Sequence, residues 1–233
     1  GQKYGNCGLS NWDSFSKKSG KTFNGDDGSE ACSHILNFNK DLDLIKECGF
    51  KAYRFSLSWP RLLPKGKGKI NEKGLSFYDK LLDGILERDI LPFATLYHWD
   101  LPKIFDDNGG WQNRDTCEWF ADYTDLVMRK FGDRLHSVAT INEPWCVAWL
   151  GYYWGEHAPG IKNLESTAKS MHYILLAHAK SLEVMREYNQ RNTGIVLNKC
   201  YVEPIDTNEE NVKSAKVYDD IHNLWFDEAI FKG

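Results

Sequence analysis

The densest chemistry in the chain is Asn142, Glu143 and Trp145, which close the run S-V-A-T-I-N-E-P-W from Ser137. Val138 to Ile141 is a short apolar run rich in β-branched residues and without polar alternation, the pattern of a strand buried on both faces. Pro144 has no N–H for a ladder and biases the residue before it towards extended backbone, so the strand is expected to stop at Glu143. A carboxylate then stands at the carboxyl end of a buried strand, with an amide before it and an indole after it. In a parallel barrel that end of the strands is where chemistry is done. The plainer role for Glu143 is an ion pair with an arginine or a helix N-terminus, because strand-end acids are common in α/β proteins.

Two other strand ends carry comparable sets. Ala52 to Trp59 (A-Y-R-F-S-L-S-W) stops at Pro60 and holds Arg54 between aromatics, where a guanidinium is not left unpaired. Leu91 to Tyr97 runs into His98-Trp99-Asp100. On one rim these ends would gather an acid, an amide, an imidazole, a guanidinium and several indoles. Indoles that stack on sugar faces, with Asn and His to bind hydroxyls, describe a carbohydrate site. Cleaving a glycoside takes a carboxylic acid to protonate the leaving oxygen. It also takes a second carboxylate, ~5–5.5 Å away for retention or ~6.5–9.5 Å for inversion.

The elements that must hold these residues alternate along the chain. Gly1 to Asn39 reads as irregular loop anchored by Trp12 and Phe15, and Asp41 to Cys48 as a short helix closed by Gly49. After the first strand, Pro64 to Lys73 is a basic, Gly-rich loop, read as solvated rather than as a phosphate site. Helices are expected over Leu75–Arg88, Asp115–Phe131, Ser166–Tyr188 and from Glu209 to Phe226, each with apolar residues on one face. Gly151 to Gly160 is an aromatic loop, and Gly194 to Tyr201 a fourth strand with Asn198 on it. His172 and His178 read as packed helix residues. Strand and helix in alternation imply a parallel sheet with right-handed crossovers. Four units are too few to close an eight-stranded barrel, which typically takes ~250 residues. Either the sheet is open, or it is part of a barrel whose remainder lies elsewhere.

Composition narrows the class. The chain has 233 residues, enough for one α/β domain. With 29 basic and 33 acidic side chains the net charge is -4, which argues against a nucleic-acid surface. No run approaches the ~18 apolar residues of a membrane span. The six cysteines are scattered without C-x-x-C spacing, and Cys48, Cys117 and Cys146 read as small buried hydrophobes in a reducing compartment without a structural metal. No signal segment is visible and a cytoplasmic location is expected, although a chain beginning Gly-Gln-Lys without Met is not expected to start at its natural N-terminus.

The motifs Y-R-F-S-L-S-W-P-R-L-L-P, T-L-Y-H-W-D-L-P, G-G-W-Q-N-R-D, F-G-D-R and T-I-N-E-P-W resemble, in order and spacing, those of glycoside hydrolase family 1, the β-glucosidase family. G-Y-x-x-G-x-H-A-P-G and the final N-x-W-F-x-x-x-x-F-x-G continue the resemblance over nearly the whole chain. It implies an α/β fold of the (β/α)8 TIM-barrel type, here incomplete, with about strands two to five and their helices. Residues 1–233 would then be a single domain segment, the N-terminal half of such a barrel. It implies retaining hydrolysis of β-glucosides or related oligosaccharides, with no cofactor, no metal, no nucleic acid and no membrane. On this resemblance Glu143 matches the general acid/base, and Asn142 the amide that binds the sugar 2-hydroxyl. His98 matches the glycone-binding imidazole with Trp99 packed beside it, Trp145 an aglycone-side residue, and Arg54 the arginine beside the nucleophile, where it would keep that carboxylate ionised. Asn198 is a further match.

The chain also departs from the family pattern. No T-E-N-G-like motif for the nucleophile occurs, and the glycone-binding Gln of the first strand and Glu and Trp of the last are missing. Double displacement is therefore expected only when a C-terminal half-barrel completes the chain, which alone would be inactive. Other classes are a non-catalytic sugar-binding relative and a stand-alone half-barrel that self-associates to cover its open edges.

Overall fold

The computed structural model describes residues 1–232. Its frame is a sheet of four parallel strands in chain order: β1 (Ala52–Ser56), β2 (Leu91–Tyr97), β3 (Ser137–Asn142) and β4 (Thr193–Val196). Parallel neighbours cannot be joined by a hairpin, and each crossover carries a long helix. α1 (Asn11–Phe15) and α2 (His34–Glu47) precede β1. α3 (Trp59–Leu62) and α4 (Glu72–Leu86) lead to β2, α5 (Lys103–Asp107) and α6 (Asp115–Phe131) to β3, and α7 (Leu164–Glu187) to β4. α8 (Glu209–Asp219) and α9 (Trp225–Phe231) follow. Four strands, each backed by helix, make a partial α/β barrel, half the strand complement of a (β/α)8 barrel.

The two faces of the sheet differ. Phe55, Ala94, Leu96 and Val138 are buried against helices, together with Tyr78, Leu82 and Ile85 of α4 and Phe120, Tyr123, Val127 and Phe131 of α6. Three- and four-residue spacing puts each helix's set on one side, as the sequence implies. On the other face Ala52, Arg54 and Ser56 are exposed. The register sets Arg54 beside Phe93, Ser56 beside Thr95, and Thr95 beside Ala139, so these share that inner face.

Several expectations are corrected. β1 ends at Ser56, and Trp59 is no rim indole: it opens α3, is fully buried, stacks on Tyr123 at 5.0 Å and donates Nε1 to the Gly66 carbonyl. The N-terminal stretch holds α1, capped reciprocally by Ser10 and Asp13. α2 starts at His34, seven residues before the expected Asp41. There His34 Nδ1 is 2.5 Å from Asp41 Oδ2 and its ring packs on Tyr53 and Phe77, a tertiary contact that no local periodicity announces. Cys48 is exposed, because α2 buries only Leu42 and sits on the surface. Cys117 and Cys146 are buried as expected. β4 ends at Val196, not Tyr201: Cys200 gives its N–H to Asn223 Oδ1 and its carbonyl accepts from Asn223 Nδ2, so side-chain bonds replace the ladder. The last helical stretch is broken by a π-helical segment, Asp220–Leu224. His172 is exposed, whereas His178 is buried with Nδ1 2.8 Å from Thr140 Oγ1.

Candidate active site

Glu143 follows β3 at the carboxyl end of the sheet, in left-handed backbone at φ 49°. Pro144 leads into a π-helical segment, Cys146–Tyr153, and Val147 N–H bonds the Glu143 carbonyl at 3.2 Å. The chain therefore reverses from strand to helix within one residue, and that turn lifts the Glu143 side chain onto the rim. A non-glycine residue held in this region is strained, and such strain concentrates at functional sites.

A bulge prepares the turn. Ala139 pairs with Gly194 and Asn142 with Val196, so three steps along β3 answer two along β4. In an unbroken strand Thr140 and Asn142 would share a face. Here Thr140 reaches α7 at His178, while Asn142 presents Oδ1 to Arg54 Nη2 on the inner face at 2.6 Å. Bulges re-aim side chains in this way beside active sites.

Arg54 ties three strands together, because its Nε also donates to Thr95 Oγ1 at 3.0 Å. The Asn142 carbonyl accepts Trp99 Nε1 at 2.8 Å, which anchors an indole whose own backbone is left-handed at φ 83°. His98 lies against Trp99, ring centres 5.2 Å apart. Partial desolvation and the Arg54 charge hold His98 below its usual range, while the Glu143 carboxylate pulls it up. Burial likewise holds His157 below its usual range, against the upward pull of Glu156 and Glu143. The structure thus brings Arg54, His98, Trp99, Asn142 and Glu143 together on one rim.

Trp145 stands apart from this group. Its ring is 8% exposed and packs on Trp149, Trp154 and His222, while Trp154 is open to solvent. Asp100 turns under the rim, where burial raises its carboxyl to about 7 against the pull of Ser58 and Arg61. Asn198 is engaged by His222, with Oδ1 2.9 Å from Nε2.

Residues that the sequence did not assign to the site complete it. Trp12 stacks at 6.4 Å on Trp99, and His157 lies 5.0 Å from Trp99 and 5.2 Å from Trp12. The backbone holds this N-terminal contact: Asn11 N–H bonds the Leu101 carbonyl at 2.9 Å, and Leu101 N–H bonds Asn11 Oδ1 at 3.1 Å. The lone polar ring in G-E-H-A-P-G was the available signal for His157, but nothing local points to Trp12. Cys146 sits beside Glu143, and burial together with that carboxylate pushes its thiol up to about 12, so it stays protonated. Among the described residues no group of three His, Cys, Asp or Glu side chains could hold a metal ion. No helix among them is long and apolar enough to cross a membrane.

The arrangement can do proton transfer beside a donor-rich face. With Asn142 Oδ1 accepting from Arg54, the amide is held in one orientation and its NH2 group is free to donate to a ligand. Arg54 keeps further N–H groups on the open inner face for an anion.

Known proteins share this architecture. The family model described as glycosyl hydrolase family 1 matches residues 2–233. The 1,4-beta-D-glucan glucohydrolase of Thermotoga neapolitana is 45% identical over 229 residues, which cover 97% of this chain and 54% of that protein. A structure of virulence factor SghA with its substrate analog salicin aligns at a TM-score of 0.96 and 44% identity, over 99% of this chain and 51% of the other. SghA comes from Agrobacterium tumefaciens. The family 1 β-glucosidase of Thermotoga maritima in complex with isofagomine lactam aligns at 0.93 and 42% identity, over 95% of this chain and 50% of the other. The chain spans about half the length of the curated relatives it matches. Sequence match and superposition, each running almost from end to end, agree on one assignment: the chain belongs to glycosyl hydrolase family 1.

Proposed function

We propose that this chain carries the acid/base half of a retaining β-glycosidase of the β-glucosidase type, completed by residues beyond the 233. The observation that carries the reading is Glu143 in left-handed backbone at the strand end, its charge acting on both His98 and His157. Glu143 protonates the glycosidic oxygen as the bond breaks and then takes a proton from the attacking water. Asn142 gives its NH2 group to the sugar 2-hydroxyl, a bond that strengthens towards the oxocarbenium-like transition state. His98 and Trp99 hold the glycone, and Trp145 belongs to the leaving-group side.

The nucleophile of the double displacement is a carboxylate from outside these residues, seated against Arg54, whose positive charge keeps it ionised. Residues 1–233 are one domain segment, the N-terminal half of the barrel, and a complementary C-terminal half covers the face on which Ala52, Arg54 and Ser56 lie exposed. A β-glucoside substrate accords with relatives named as glucosidases and bound to salicin or isofagomine lactam.

The test is hydrolysis of an aryl β-glucoside. The 233-residue chain alone is expected to give no turnover. Adding the C-terminal half of a family 1 relative should restore it, and Glu143→Gln should remove the restored activity for substrates with poor leaving groups. Turnover by the chain alone, unaffected by Glu143→Gln, would overturn the assignment.

A further inference from the structure

Three buried polar atoms without a partner, Trp145 Nε1, Trp149 Nε1 and His222 Nδ1, belong to one aromatic cluster beside the end of β3. Two π-helical segments build it, Cys146–Tyr153 and Asp220–Leu224, and such segments recur at functional sites. His222 is its centre and is 4% exposed. Its ring lies 4.1 Å from Trp145 at 36° and 5.5 Å from Tyr218 at 27°. The imidazole is therefore held between an indole from the end of β3 and a phenol one turn earlier along α8.

Its Nε2 meets Asn198 Oδ1 at 2.9 Å. A carboxamide oxygen only accepts, so Nε2 carries the proton and Nδ1 is the bare nitrogen. Burial and the Lys199 ammonium hold the ring below its usual range, against the pull of the Asn198 backbone and Asp219. With Oδ1 accepting from Nε2, the Asn198 carboxamide is held in one orientation and its NH2 group is free to donate to a ligand. His222 thus joins two strand ends: Trp145 lies two residues past Glu143, and Asn198 two past Val196, whose carbonyl accepts the Glu143 N–H at 2.8 Å.

Building on the reading of the site as a β-glycosidase, we propose that His222 is a positioning residue for the leaving-group side. It fixes the Trp145 plane and turns the Asn198 carboxamide so that its NH2 group meets a hydroxyl-bearing aglycone, favouring a sugar over a plain aryl group.

Steady-state kinetics on cellobiose and phenyl β-glucoside test this, with the chain completed by the C-terminal half of a family 1 relative. His222→Phe keeps the aromatic sandwich and removes the Nε2–H. It should raise KM for cellobiose about tenfold, the worth of one hydrogen bond, with kcat little changed and phenyl β-glucoside within about twofold. His222→Gln, which retains a donor, should recover part of the loss, and Asn198→Ala added to His222→Phe should cost little more, because the two act as a pair. Equal losses on both substrates would mean a structural role only, and an unchanged cellobiose KM would also overturn the inference. Absence of turnover by the wild-type chain completed with a C-terminal half-barrel would count against the β-glycosidase reading, and the histidine 15N spectrum then decides the role of His222. A protonated Nε2 that shifts on Asn198→Ala is expected, and a proton on Nδ1 would overturn it.

Discussion

Glu143 combines two demands in one residue: a carboxylate at the strand end and a backbone at φ 49°. Only glycine takes that backbone freely, and other residues lose roughly 1–2 kcal/mol there. The chain keeps a carboxylate where glycine would be relaxed, which is the signature of a site held for chemistry rather than stability. Glu143→Gly is therefore expected to stabilise the fold by about 1 kcal/mol, read as a higher denaturant midpoint, while removing acid/base function. Glu143→Gln keeps the strain and should leave the midpoint unchanged. Arg54 shows the complementary case. Its type and place between aromatics were legible in the sequence, but its partners Thr95 and Asn142, one and two strands away, were not.

At the scale of elements, the bulge in β3 and helix α7 act together. Thr140 points out to His178 so that Asn142 can point in to Arg54. Burial lowers His178 to about 4, from an ordinary 6.5. Between those values the unfolded chain binds a proton that the native state excludes, so stability is full above pH 6.5 and falls on acidification towards pH 4. The difference corresponds to roughly 3 kcal/mol. Wild type should lose that much more than His178→Gln when unfolding is compared at pH 7 and pH 4. The strap from Asn11 to Leu101 is a second such device, since it sets Trp12 on Trp99.

At the scale of the molecule, β1 and β4 are unpaired edges of the sheet among the described residues, and Ala52, Arg54 and Ser56 lie exposed on its inner face. Tyr201 at 87% and Ile205 at 89% exposure add apolar surface after β4. Open edges and exposed apolar side chains favour association. The 233-residue chain by itself is expected to show a concentration-dependent mass by light scattering, replaced by a one-to-one complex when a C-terminal half-barrel is supplied. A monomer at all concentrations, unchanged by that partner, would refute the half-barrel account.

Local chemistry decided what could be read from the chain alone. β2 and α6 begin and end at the residues the sequence indicates, because a buried strand shows as a short apolar run and an amphipathic helix repeats its apolar face every third and fourth residue. The N-E-P-W stretch marked where β3 ends and put a carboxylate just past it, since proline and a β-branched run act within a few residues. Tertiary structure alone decided the rest. The one-residue bulge that parts Thr140 from Asn142, the burial of Trp59, the early start of α2 and the short β4 all depend on partners dozens of residues away. The pairing of His222 with Trp145 and Asn198 has the same origin, because no spacing along a chain records which side chains meet only after the strands have been laid side by side.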